Sequence, residues 1–192
     1  MKKELFMLDS TESDGPAEIV MDYILSYTLR SVNNNDTPLF AKYARSILFK
    51  LLEINDFGQI VERVEVWKQW GEGHKKIDLT VEVDIIEGGV KYRHAILIED
   101  KYYSGIRYDE NLQEYQIQTY KRIFDNFYND KKTTNHYWVI SCISSTDPKF
   151  NQLYDFIKFY GYKAVSIYQL VEDIKVDCES DIFNQFFLTG WC

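Results

Sequence analysis

The segment HAILIEDKYYSG, residues 94–105, carries an apolar run into three consecutive charges, Glu99, Asp100 and Lys101. Side chains alternate along a β-strand, so Glu99 and Lys101 share one face and Asp100 takes the other. Asp78 stands on the polar side of an earlier alternating segment, KIDLTVEVDII, which can pair with the first run through a turn at Glu87-Gly88-Gly89. Two carboxylates and an ammonium would then converge near the ends of adjacent strands. Carboxylate oxygens suit a hard divalent cation such as Mg²⁺, with Mn²⁺ as a substitute. A cation that binds a phosphate oxygen, with a lysine beside it to offset charge or orient water, is an established route to phosphodiester hydrolysis. Downstream, Leu112, Gln116, Tyr120, Ile123 and Phe127 fall on one stripe at helical spacing. An amide on that inward stripe needs a partner. For Gln116, a metal-bound water, a phosphate or the Lys101 ammonium would serve.

Asp78, then Glu99-Asp100-Lys101, then QIQTY (Gln116 to Tyr120) resembles the PD-(D/E)XK nuclease superfamily. The resemblance is strongest to its bacterial branch, which carries a Gln-x-x-x-Tyr motif after the E-x-K strand, and it runs from about Glu18 to Leu170. The E-x-K motif is short; the combination with an Asp on the preceding strand and the Gln-x-x-x-Tyr helix carries the resemblance. Ile77-Asp78 stands where the family has Pro-Asp, which keeps the carboxylate, and the hairpin accounts for the long gap to Glu99. The resemblance implies an α/β, restriction-endonuclease-like core with a mixed central β-sheet flanked by helices. It implies that Asp78 and Glu99 bind Mg²⁺, that Lys101 assists the attacking water, and that Gln116 and Tyr120 shape the site. Glu18, on the first helix, is its candidate for a further metal ligand; a first-turn acid favoured by the helix dipole is the ordinary alternative. The implied activity is metal-dependent hydrolysis of nucleic acid, DNA ahead of RNA. The alternative, from a different class, is a catalytically weak or inactive module on the same fold that binds or regulates.

The elements that must position these residues are legible from pattern. PAEIVMDYILSYTLR predicts a first helix, and Thr37-Pro38 opens a second with Phe40, Tyr43, Ile47 and Leu51 at helical spacing. Ile60 to Trp67 predicts a strand. In the next, Ile77, Leu79, Val81, Val83 and Ile85 face one way and Asp78, Thr80, Glu82 and Asp84 the other. Ala95 to Ile98 is apolar on both faces, as in a covered central strand. A helix from Asp109 to Tyr128, a strand in HYWVISCIS, a helix from Asp147-Pro148 to Gly161 and a strand in KAVSI follow. Ser166 with Gln169 reads as a capping box, and Asp181 to Leu188 as a last short helix. The order α-α-β-β-β-α-β-α-β-α predicts one nuclease-like domain over 1–192.

The chain has 192 residues and a net charge of -8, so a broad basic surface cannot supply its affinity for nucleic acid. Local cations, bound metal, a second copy or a protein partner would have to. Lys75 and Lys76 could touch a phosphate backbone, although a polar loop is their ordinary reading, as core or rim packing is for Trp67 and Trp70. His74, His94 and His136 lack metal-ligand spacing. Cys142, Cys178 and Cys192 form no Cys-x-x-Cys pair and predict reduced thiols in a cytoplasmic protein. The N-terminus is too short and too acidic for a signal peptide, and no run is long enough to cross a membrane.

Overall fold

The computed structural model describes residues 17–55, 58–72, 75–129 and 131–189. Two helices come first, α1 (Ala17–Arg30) and α2 (Pro38–Leu52), joined by a single 3-10 turn at Ser31–Asn33. Glu53 ends α2 in the left-handed conformation (φ 57°), and its amide bonds back to the last turn. Three long strands follow, β1 (Ile60–Glu72), β2 (Lys75–Glu87) and β3 (Val90–Lys101), with β2 antiparallel to both β1 and β3. Gly88 and Gly89 make the β2–β3 turn, both at positive φ, so Glu87 pairs with Val90 as the sequence predicts.

A minute hairpin, β4 (Tyr108–Asp109) and β5 (Glu114–Tyr115), leads into α3 (Gln116–Tyr128). The chain then alternates through β6 (Thr133–Ser141), α4 (Pro148–Lys158), β7 (Lys163–Ser166) and α5 (Ile167–Leu170). It closes with α6 (Asp181–Phe183) and a π-helical turn at Asn184–Leu188. The main sheet runs β1-β2-β3-β6-β7; β3, β6 and β7 are parallel, so the sheet is mixed.

Helices cover both faces. On one, Leu79, Val81, Val83, Ile96 and Ile98 pack with α1, α2 and the C-terminal helices. On the other, Ile77, Ala95 and Leu97 pack with Ile117, Tyr120, Phe124 and Tyr128 of α3 and with Ile157 of α4. The predicted stripe on α3 is therefore turned by about one residue. The helix starts at Gln116, which leaves Leu112 exposed in the hairpin. Phe127 is exposed at the rim, where its ring meets Trp70 edge-on at 4.9 Å. Asp84 and Glu82 do not face open water either. Arg63, Lys91 and Arg93 bond Asp84, and Glu82 accepts from Arg63 and from the Tyr128 hydroxyl.

Cys178 is a free thiol, whereas Cys142 is disulfide-bonded, against the expectation of reduced thiols; Cys192 lies outside the described residues. No helix among the described residues is long and apolar enough to cross a membrane.

Gly71 fixes the end of β1. Its φ is 142°, and a Cβ there would sit 2.2 Å from the Lys75 carbonyl oxygen, so β2 must move to admit one. Gly71→Ala is expected to cost roughly 2 kcal/mol, read from urea unfolding midpoints. An unchanged midpoint would show that the hairpin yields freely at this point.

Candidate active site

β2 is not a regular strand where the site begins. Leu79 packs on the α1 face and Ile77 on the α3 face, although two residues apart they should agree. The pleat slips by one residue around Asp78. Opposite, Gln69 of β1 is forced to φ 52°, and Gln69 and Asp78 are skipped between the pairs Lys68–Leu79 and Trp70–Ile77. The predicted single apolar face from Ile77 to Ile85 is thus broken at its first member. The slip turns Asp78 toward α1.

There it meets two carboxylates. Asp22 of α1, Asp78 of β2 and Asp100 of β3 each place an oxygen within 4.8 Å of the others. Asp78 Oδ2 also accepts the Asp100 backbone N–H at 3.2 Å, which ties the ends of β2 and β3 together. Asp22 and Asp100 are buried, and Asp22 Oδ1 and both Asp100 oxygens have no hydrogen-bond partner. Gln69 Nε2 reaches Asp22 at 3.4 Å and Asp78 at 3.5 Å. Among the described residues no lysine or arginine forms an ion pair with any of the three. Burial and then the Asp78 charge push the Asp22 carboxyl up to about 7, and the same two causes push Asp100 far above its ordinary range.

The opposite face of β3 carries different chemistry. Glu99 and Lys101 point together, as alternation requires, and Lys101 Nζ donates to Glu99 Oε1 at 2.6 Å. Gln116 Nε2, at the start of α3, donates to the same oxygen and lies 2.9 Å from it and from the Tyr120 hydroxyl. Glu99 is fully buried, and its Oε2 has no partner. Burial and Asp78 raise its pKa well above normal, against the pull of Lys101. Burial opposes the Lys101 charge, but Glu99 and then Asp78 outweigh it and hold the ammonium protonated. Burial and Glu99 push the Tyr120 hydroxyl up to about 12.

The structure therefore brings Glu99, Lys101, Gln116 and Tyr120 into one bonded group, with Asp78 close enough for its charge to act on both Glu99 and Lys101. It does not bring Glu18 into the carboxylate cluster. Glu18 Oε1 instead accepts from the Tyr102 amide and the Ser104 hydroxyl and braces the loop after β3. Asp22, one helical turn on, is the α1 carboxylate that meets Asp78 and Asp100. Its signal was present: Glu18, Asp22, Leu25 and Leu29 form one stripe of α1, and an acid beside two buried leucines needs a reason. Gln69 had no such signal, because nothing local predicts its left-handed conformation. His74 lies outside the described residues. His94 and His136 meet across β3 and β6, Nδ1 to Nε2 at 3.1 Å, and burial lowers the pKa of both.

The orphaned, buried oxygens of Asp22 and Asp100, with Asp78 between α1 and β3, are hard donors of the kind that a divalent cation such as Mg²⁺ or Mn²⁺ takes. No family model, curated protein or solved structure matches the chain.

Proposed function

We propose that the protein is a metal-dependent nuclease with a restriction-endonuclease-like core, hydrolysing phosphodiester bonds in nucleic acid. The observation that carries this reading is the convergence of Asp22, Asp78 and Asp100 within 4.8 Å beside a buried Glu99–Lys101 pair. Asp78 is the shared member, with Asp22 and Asp100 on one side and Glu99 on the other as the groups that would hold the cation. A divalent cation bound there supplies polarisation of a phosphoryl oxygen and acidifies an attacking water.

The chain's own groups divide the rest. Lys101 stays protonated, so it donates; its ammonium offsets charge that builds on the phosphoryl oxygens and cannot serve as the base. Glu99 Oε1 is held by Lys101 and Gln116, which leaves Oε2 as the oxygen free to face the cation. Gln116 orients Glu99, and Tyr120 fixes Gln116 from the next turn of α3.

The test is cleavage of plasmid, linear duplex, single-stranded DNA and RNA with Mg²⁺ or Mn²⁺, with Asp78→Asn beside the wild type. Cutting should require the metal and fall roughly 100-fold or more in the variant. Cutting that survives in chelator or in Asp78→Asn would refute the assignment. A folded wild type that binds the cation and cuts nothing would favour the binding or regulatory reading.

A further inference from the structure

Two hollows flank the Glu99 side of the site, and neither is used by the chemistry above. The first, about 260 Å³, is lined by Lys75, Arg107, Asp109, Gln116, Thr119 and Tyr120. It therefore opens onto Gln116, which bonds Glu99, and onto Tyr120, which bonds Gln116. Lys75 is anchored there by Asp109, which also accepts the Asn111 and Leu112 amides. Arg107 is fixed by its carbonyl, which accepts the Gln116 N–H at 2.9 Å. Its guanidinium is exposed and has no carboxylate partner among the described residues. In a chain of net charge -8, an unspent arginine beside the proposed reaction centre is a specific feature.

The second hollow, about 360 Å³, is more apolar and includes Tyr103, Ile106, Tyr115, Lys149 and Phe156. Tyr103 is 58% exposed, and Tyr115 and Phe156 stack edge-on at 4.7 Å. The two hollows draw on neighbouring residues of the chain. Ile106 and Tyr115 line one, and their immediate neighbours Arg107 and Gln116 line the other. The cleft with Lys75 and Arg107 and the aromatic one are thus lined by residues adjacent in the chain.

Resting on the nuclease reading, we propose that the substrate is single-stranded nucleic acid, with a backbone phosphate in the Lys75–Arg107 cleft and an adjacent base against Tyr103. An aromatic hollow can take only a base that has left its stack, and one cleft whose single cation unpaired among the described residues is Arg107, beside a Lys75 already bonded to Asp109, cannot replace the many phosphate contacts on which duplex affinity depends. The cations select the phosphate and the ring selects the unstacked base; neither discriminates the sugar.

The test is fluorescence anisotropy of wild-type protein in Ca²⁺ with a labelled 12-nucleotide DNA, the same sequence as RNA, and the DNA duplex, each checked for integrity afterwards. Single strands should bind about tenfold or more tighter than duplex. Tyr103→Ala and Arg107→Ala should each weaken single-strand binding about tenfold, while Tyr103→Phe retains it. The DNA and RNA arms decide the sugar. Duplex binding equal to or tighter than single-strand binding overturns the proposal, as does unchanged affinity in the two alanine variants. If wild type cuts duplex in the cleavage assay while these results fail, the nuclease reading stands without this substrate. If it neither binds nor cuts any nucleic acid, both fall.

Discussion

Asp100→Asn is expected to stabilise the metal-free protein at pH 8 by roughly 3 kcal/mol and to abolish the stabilisation that Mg²⁺ or Mn²⁺ confers. The wild type buries Asp100 with both oxygens unpartnered and Asp78 and Asp22 at hand. Without a cation it must either hold a proton there or suffer like-charge repulsion in a poorly solvated place. An amide of the same shape removes the charge and offers a donor to the other two carboxylates. The pH dependence follows with a definite sign. Asp22 rises from 3.8 to about 7 on folding, so between those values the folded protein keeps a proton that the unfolded chain has released. That contribution is fully present below about pH 4 and is lost as pH rises through about 7, roughly 4 kcal/mol in all. Asp100 extends the loss to higher pH. Asp84 acts oppositely. Burial works against its charge, but Arg93, Lys91 and Arg63 hold its carboxyl below the usual range, so its contribution is lost on acidification. Thermal melts in chelator should therefore fall by several degrees from pH 5.5 to pH 8, and added Mn²⁺ should raise them more at pH 8. A metal-independent melt that is flat across this range would show that the three aspartates are not buried together.

The second large effect concerns the opposite face. Lys101→Met should cost about 3–5 kcal/mol, because it strands Glu99, fully buried, with only Gln116 to bond. Adding Glu99→Gln should recover most of that loss, since the pair is then replaced by neutral groups of similar volume. Neither variant should cut nucleic acid, so stability and activity separate cleanly. Urea denaturation of the two single variants and the double variant gives the coupling energy directly. A cost below about 1 kcal/mol for Lys101→Met would mean the pair behaves like a surface ion pair.

Much of this arrangement was legible beforehand. Alternation alone placed Glu99 and Lys101 together, and the Gly-Gly turn set the β2–β3 register. Helical spacing put Gln116 and Tyr120 on one face, where they meet Glu99. What pattern could not supply was the departure from pattern. Strict alternation sends Asp78 with Thr80 and Glu82, and only the paired distortion of Gln69 and Asp78 across two strands turns it to α1. The first-helix acid at Glu18 is what the resemblance alone implies, and in the structure Asp22, one helical turn on, is the α1 carboxylate beside Asp78 and Asp100. The start of α3 was misplaced for a related reason. The segment after Asp109 has helical spacing, but Tyr108–Asp109 closes on Glu114–Tyr115 and delays the helix to Gln116.

The slip at Asp78 also bears on which insertions and deletions the chain can tolerate. A pleat has only two phases, so adding or removing one residue reverses every side chain beyond the change. β2 already contains one such reversal, placed between Ile77 and Leu79. A further single-residue insertion between Asp78 and Thr80 would cancel it and swing the shared carboxylate away from both partners at once. At the Gly88–Gly89 turn, the far end of the same strand pair, a lengthened connection would only enlarge a loop. Length is therefore fixed at one end of β2 and free to vary at the other, although both ends belong to the same two strands.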